Sequence, residues 1–201
     1  MIIETACTLA DKLHSGQTRA DGITPYIQHS KRVAELVAEN GGDENQVAAA
    51  WLHDIFEENI EGCMEYFGVD KATIQSKMRM IRFLMNGGPK FINNFRHILI
   101  TLSDHWEDTQ DKIRKEGKVA YLADLLLHSF ESVLLIKLCD MLANIQESNG
   151  SRMSQEKRYL KAVEILLMSG RTKNMPACHR LAKKIQKLVK EHKKGIKKTE
   201  L

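Results

Sequence analysis

Proline is scarce in this chain, three residues in 201, and aromatic residues make up only 6%. With Leu, Ala, Lys, Glu and Met abundant, that shortage leans toward an all-α domain. No run of about 18 apolar residues occurs, so no helix of the transmembrane kind is expected. The N-terminus, Met1-Ile2-Ile3-Glu4-Thr5, has no basic segment and carries an early acid, which argues against a secretory signal. Cys7, Cys63, Cys139 and Cys178 show no paired spacing. Reduced thiols in a cytoplasmic protein are therefore expected. No internal repeat and no linker interrupt the sequence. What is present, 43% hydrophobic and 28% charged residues, suits one globular domain with a full core over 1–201.

The net charge of +4 is unevenly spread. Arg180, Lys183, Lys184, Lys187, Lys190, Lys193, Lys194, Lys197 and Lys198 crowd the C-terminal end. Such a run reads first as a solvated helix face ending in a frayed tail, and second as a contact for nucleic acid or a membrane surface. No aromatic interleaves the lysines, so base stacking and a nucleic-acid partner are disfavoured. No membrane partner is expected, and an assembly of identical copies stays open.

Apolar periodicity is helical throughout. It predicts helices over Ile2 to His14, His29 to Glu39, Glu44 to Phe56 and Ile60 to Phe67. Lys71 to Leu84 and Phe91 to Ser103 follow around the Gly87-Gly88-Pro89 turn. Lys118 to His128, Ser132 to Ile145, Gln155 to Met168 and Pro176 to His192 complete the set. Gly16 to Thr24 and Asp104 to Lys115 read as loops, and Pro25 favours an extended Thr24. Gly41-Gly42 ends the second helix and Asp43 caps the third. The economical architecture is a helical core over about 1–150 with C-terminal helices over 151–201.

Four residues stand out: His29, the doublet His53-Asp54, and Asp140. The doublet follows the apolar run Ala48-Ala49-Ala50-Trp51-Leu52, and a charged pair ending a buried helix is costly unless something compensates it. On a continuous helix His53 and Asp54 point about 100° apart, and both reach one ion if it sits near the helix end. Two imidazoles and two carboxylates suit a Mn²⁺- or Fe²⁺-like ion better than a thiolate-rich zinc site would. Cys139, beside Asp140, reads as core. Any one of these histidines alone reads as a hydrogen-bonded core residue; together, their order resembles the ligand set of metal-dependent phosphohydrolases of the HD type.

The flanking segments narrow the resemblance. Residues 14 to 29 read His-Ser-Gly-Gln-Thr-Arg-Ala-Asp-Gly-Ile-Thr-Pro-Tyr-Ile-Gln-His. Residues 51 to 59 read Trp-Leu-His-Asp-Ile-Phe-Glu-Glu-Asn, and 136 to 144 read Ile-Lys-Leu-Cys-Asp-Met-Leu-Ala-Asn. From about Ala6 to Asn144 these resemble the hydrolase domain of the RelA/SpoT family and its small stand-alone (p)ppGpp hydrolases. The resemblance implies an HD-domain helical bundle with His29, His53, Asp54 and Asp140 as metal ligands. Mn²⁺ is the implied ion, with Fe²⁺, Mg²⁺ or Zn²⁺ as other candidates. It implies that Glu57 and Glu58 manage protons at the attacking water, Glu58 standing where the family prefers Asp. Arg19 is implied to lie against the nucleotide, and Asn144 near its sugar or 5′ phosphates. Lys137 reads either as a phosphate contact or as a structural ion pair.

The chain also departs from the pattern. Ala20 stands where the family carries lysine, Met141 where it carries arginine, and Ala143 where a polar residue is common. The interval from Asp54 to Asp140 is longer than the resemblance implies, enough for an inserted helix pair between Gly68 and His97. The implied activity is hydrolysis of the 3′-pyrophosphate of (p)ppGpp to GDP or GTP and pyrophosphate, by a stand-alone hydrolase in the stringent response. Two alternatives stay open: an HD phosphohydrolase for another nucleotide, such as ppApp, a dNTP or NADPH, and a non-catalytic alarmone sensor. His14, His97, His105, His128, His179 and His192 receive no role.

Overall fold

A computed structural model describes residues 2–66, 68, 96–103 and 117–199. Among them the regular elements are helical, with a single isolated β-bridge between Thr18 and Pro25. The chain is all-α, as the composition and periodicity predict. It divides into two compact units, Met1–Gln110 and Asp111–Leu201. Residue 150, the expected edge of the core, lies in a turn inside the second unit.

The first unit contains α1 (Ile2–Leu13), α2 (Tyr26–Glu39), α3 (Glu44–Trp51), α4 (Ile55–Glu58), α5 (Ile60–Tyr66) and α6 (Arg96–Ser103). Helix α1 buries Ala6, Leu9, Ala10 and Leu13, the i, i+3, i+4, i+7 stripe of an amphipathic helix. Helix α3 packs against both α1 and α2. Its residues Ala48, Ala49 and Ala50 are fully buried, and their small side chains let neighbouring helices approach closely. Asp43 caps α3 as predicted: its Oδ1 accepts from Gln46 N at 2.8 Å, and Gln46 Oε1 accepts from Asp43 N at 2.8 Å. Gly42 lets the chain pass α2, because a Cβ there would lie 2.4 Å from Val37 Cγ1.

Two of the helix limits that differ from the expectation matter for the site. Helix α2 starts at Tyr26, three residues before His29. Pro25 precedes it at φ −57°, a preset angle that suits helix entry. The Tyr26 N–H, one of the donors a helix start leaves over, donates to Gln17 O at 2.9 Å across the loop. Helix α3 stops at Trp51 instead of running to Phe56. Leu52 N donates to Ala49 O at 3.1 Å and His53 N to Ala50 O at 3.5 Å, a tightened turn with neither glycine nor proline in it.

The second unit contains α7 (Lys118–His128), α8 (Glu131–Ser148), α9 (Met153–Ser169), a 3₁₀ turn (Arg171–Asn174) and α10 (Pro176–Thr199). Helix α9 packs on α7 and α10, and α8 packs on α10. Asn149 and Gly170, both left-handed, end α8 and α9. The Arg171 guanidinium donates to the carbonyls of Leu127 and Ser129 at the end of α7. Glu156, 1% exposed, accepts from Ser148 Oγ at 2.5 Å, Gly150 N at 3.1 Å and His192 Nδ1 at 2.8 Å, so one carboxylate joins α8, α9 and α10. The basic C-terminal segment is helical to Thr199, longer than predicted. No described helix is long and apolar enough to cross a membrane. The helix expected over Lys71 to Leu84 and the loop expected over Asp104 to Lys115 lie outside the described residues, as does most of the expected inserted pair.

Candidate metal centre

The early end of α3 builds the centre. Adjacent residues of a continuous helix diverge by about 100°. In the turn that replaces it, His53 Nε2 and Asp54 Oδ2 come to 3.0 Å. The turn fixes the imidazole too. His53 Nδ1 lies 2.8 Å from Ala50 O. A carbonyl only accepts, so Nδ1 carries the hydrogen and Nε2 keeps its lone pair. This arrangement is typical of a metal-ligating histidine, whose second nitrogen is held by a carbonyl.

His29, on the first turn of α2, places Nε2 3.8 Å from the same Asp54 Oδ2. His29, His53 and Asp54 each offer a donor atom within 4.8 Å of the others. All three residues are buried, at 1%, 0% and 9% exposure. Two imidazole nitrogens and a carboxylate oxygen, converging out of water, fit a divalent ion of the Mn²⁺, Fe²⁺ or Zn²⁺ type by donor chemistry. His53, Asp54 and His29 are thus brought together as the sequence predicts.

Tyr26 is a site residue that the sequence reading missed. Its hydroxyl donates to Asp54 Oδ2 at 2.8 Å. Burial, then the Asp54 charge and hydrogen bond, push its pKa far up, so the hydroxyl remains a donor at all ordinary pH. Tyr26 also sits three residues before His29 on one helix face, their rings edge to face at 6.0 Å. That spacing is visible in the sequence once α2 is allowed to begin at Tyr26.

The loop from His14 to Pro25 wraps this tyrosine. The Arg19 guanidinium lies over the Tyr26 ring, 5.0 Å from its centre. Asp21 stiffens the loop, its Oδ1 accepting from the N–H groups of Ile23 and Thr24 at 2.9 Å each. His14, also unassigned in the sequence, stacks on Tyr26 at 4.6 Å and is 2% exposed. Burial holds its pKa below the usual histidine value.

Glu57 and Glu58 follow Asp54 on α4, whose first turn closes on Asp54 O, with Glu57 N and Glu58 N donating to it at 2.9 Å each. Glu57 is half-buried and Glu58 exposed. Gln17 Nε2 donates to Glu58 O at 3.3 Å, tying the Arg19 loop to the carboxylate turn.

Asp140, Asn144 and Lys137 belong to the second unit, all on α8. Asn144 Nδ2 donates to Asp140 Oδ1 at 2.6 Å and to Asp140 O at 3.1 Å. Lys137 Nζ stands 4.0 Å from Asp140 Oδ2. Asn144, expected near the nucleotide, thus bonds this aspartate, and Lys137 stands beside it as the ion-pair reading has it. Met141, in the place of the family arginine, is 2% exposed.

Comparison with known proteins agrees with this geometry. Residues 6–167 match a family model described as an HD domain. A guanosine-3′,5′-bis(diphosphate) 3′-pyrophosphohydrolase of Haemophilus influenzae is 30% identical over 159 residues, covering 76% of this chain and 20% of that protein. A probable enzyme of the same name from Synechocystis sp. is 32% identical over 107 residues, covering 51% of this chain and 14% of that protein. A bifunctional (p)ppGpp synthase/hydrolase RelA of Mycobacterium tuberculosis is 42% identical over 57 residues, covering 28% of this chain and 8% of that one. The chain thus spans 20% or less of the length of these relatives.

Proposed function

This chain belongs to the HD domain family, and from that premise we propose that it hydrolyses the 3′-pyrophosphate of (p)ppGpp, with Mn²⁺ as the ion. The observation that carries the reading is the buried convergence of His29, His53 and Asp54, with Glu57 one turn away. The relatives named as (p)ppGpp 3′-pyrophosphohydrolases support the substrate.

His29, His53 and Asp54 would hold the ion, and Asp140, steadied by Asn144, is proposed as a further ligand on the strength of its sequence segment. When bound, a divalent ion supplies Lewis acidity and makes a water easier to deprotonate. Glu57 takes a proton from the attacking water. The water oxygen joins the phosphorus next to the ribose O3′, and the P–O3′ bond breaks. Pyrophosphate leaves, and O3′ receives the proton that Glu57 took up, with Glu58 as the second carboxylate that shares in this transfer. Arg19 offers a planar, always-charged guanidinium for stacking or phosphate pairing. Tyr26 keeps Asp54 turned toward the two imidazoles.

A second reading, hydrolysis of another nucleotide such as ppApp, a dNTP or NADPH, is favoured by Ala20 and Met141. Neither supplies the positive charge that the family pattern carries there. Both readings are tested together by incubating the protein with Mn²⁺ and ppGpp, ppApp, dNTPs and NADPH, with His53→Ala as control. Pyrophosphate released from ppGpp by the parent protein alone is the expected result. Cleavage of another nucleotide in its place moves the substrate, and no cleavage at all refutes the hydrolase.

A further inference from the structure

His14 carries a buried lone pair that meets no hydrogen-bond donor among the described residues. Its Nδ1 lies 2.8 Å from Gln17 Oε1. The orientation of that amide is not arbitrary. Gln17 points its other end at the Glu58 carbonyl, 3.3 Å away, and a carbonyl accepts only, so that end is the NH₂ group. Oε1 therefore faces His14 as an acceptor, and His14 Nδ1 must carry the hydrogen. Nε2 is left as the lone-pair nitrogen, the same tautomer that Ala50 O imposes on His53.

That nitrogen is buried and has no hydrogen-bond partner among the described residues. Buried polar atoms are nearly always satisfied, by protein or by ordered water. The ring stands in the metal centre's neighbourhood. It stacks on Tyr26, whose hydroxyl holds Asp54, and it feels the charges of Asp54, His53 and His29. It is not one of the converging donors itself, since the compact set comprises His29, His53 and Asp54.

We infer that His14 is a site residue, whose Nε2 lone pair accepts a hydrogen bond from a water molecule beside the His29–His53–Asp54 set. Gln17 is the residue that locks the tautomer. The same glutamine grips the backbone of Glu58, so the acceptor and the carboxylate turn are held by one side chain. The result would be a water held through one of its hydrogens by a neutral acceptor beside the three donor residues. This inference rests on the metal reading proposed above.

Two conservative variants separate the role of Nε2 from that of Nδ1. Asparagine reproduces the position of Nδ1, so His14→Asn keeps the bond to Gln17 and loses the acceptor. Glutamine reproduces the position of Nε2, so His14→Gln keeps the acceptor and loses the bond to Gln17. Mn²⁺ affinity, read by paramagnetic resonance of the free ion, is the measurement, with thermal melting of the metal-free proteins as the folding control. Loss of an outer partner of a metal site typically costs about 10–100-fold in affinity. We expect that loss in His14→Asn at unchanged melting temperature, and recovery of most of it in His14→Gln. Should His14→Asn not fold, His14→Phe, which keeps the stack on Tyr26, is read in its place and should show the same loss. Parental affinity in the variant lacking the acceptor overturns the inference, as does an equal loss in His14→Gln. A parent protein that takes up no Mn²⁺ overturns the metal reading itself and the role of His14 with it. Failure to cleave ppGpp leaves the affinity test standing and bears only on the substrate.

Discussion

Replacing Tyr26 with phenylalanine removes one oxygen atom from the centre and little else. The ring remains to stack on His14, at 4.6 Å, and beneath Arg19, at 5.0 Å. What disappears is the 2.8 Å hydrogen bond to Asp54 Oδ2. That oxygen also lies 3.0 Å from His53 Nε2 and 3.8 Å from His29 Nε2, so its orientation sets the geometry of all three donors. A hydrogen bond to a charged acceptor contributes about 1.5–3 kcal/mol. The Asp54 side chain is only 12% exposed, so water replaces the lost donor poorly. At about 1.4 kcal/mol per tenfold change, the loss corresponds to roughly 10–150-fold. It should fall mainly on ion affinity, because the ion needs the carboxylate fixed while the metal-free protein tolerates it loose. The assay is a Mn²⁺ titration of the parent, Tyr26→Phe and Asp54→Asn, with melting of each metal-free form alongside. Tyr26→Phe should bind between the other two. Parental affinity in a folded Tyr26→Phe refutes the claim that Tyr26 aims Asp54. A large melting loss at parental affinity makes the hydroxyl a matter of core stability instead.

Other perturbations probe other links of the chain. Glu57→Gln should keep Mn²⁺ binding and lower kcat by about 10²–10⁴-fold on whichever nucleotide is cleaved, the usual yield of a positioned proton acceptor; full turnover removes Glu57 from that role. His14 has a folded-state pKa below its unfolded value of 6.5. The unfolded chain therefore binds more protons as pH falls through 6.5, so this contribution to stability is complete above pH 6.5 and is lost below it. Melting temperatures should thus fall less steeply below that pH in His14→Phe than in the parent, and parallel curves would clear His14 as a cause. Ala49→Leu should cost about 1–3 kcal/mol in denaturant unfolding, because Ala49 is fully buried on α3, which packs on α1 and α2, and the added carbons have no room. An unchanged midpoint would mean the helices are less closely fitted than their alanines indicate.

Much of this arrangement was legible in the sequence, and the exceptions have physical causes. Helical periodicity located α1, α5 and α7 to within a residue of their observed limits and gave the fold class, since an apolar stripe at i, i+3, i+4 is a property of local sequence. The Asp43 cap was equally local. The break after Trp51 was not, because Leu52, His53 and Asp54 contain no helix breaker. It depends on an imidazole reaching back 2.8 Å to Ala50 O, a side-chain choice that composition does not record. His29, His53 and Asp54 were found from their order and flanking segments. Tyr26 and His14 were passed over because their places beside Asp54 and Gln17 come from tertiary hydrogen bonds and stacking, which the sequence does not record. An aromatic after proline and a histidine at a helix end both look like ordinary core until their hydrogen bonds are seen.

The segment from His14 to His29 does more than contribute one ligand. His14 and Gln17 fix each other's hydrogen-bond direction, Gln17 holds the Glu58 backbone, Arg19 covers Tyr26, Tyr26 aims Asp54, and His29 supplies a donor nitrogen. A helix start at Tyr26 makes this possible, because it puts Tyr26 and His29 on one face while Tyr26 N is satisfied by the loop itself. These side chains are thereby coupled to the His29–His53–Asp54 cluster, and altering one should disturb it. Ala20, exposed on the same loop, is outside that coupling. If the proposed function holds, changes there would retune recognition of the nucleotide without disturbing His29, His53 and Asp54. The position where this chain departs from the RelA/SpoT pattern on the loop is thus one that none of the three donor residues depends on. On the proposed reading, His29, His53 and Asp54 together with Ala20 are what a hydrolytic centre would show if its ion donors were fixed and its substrate contacts free to vary.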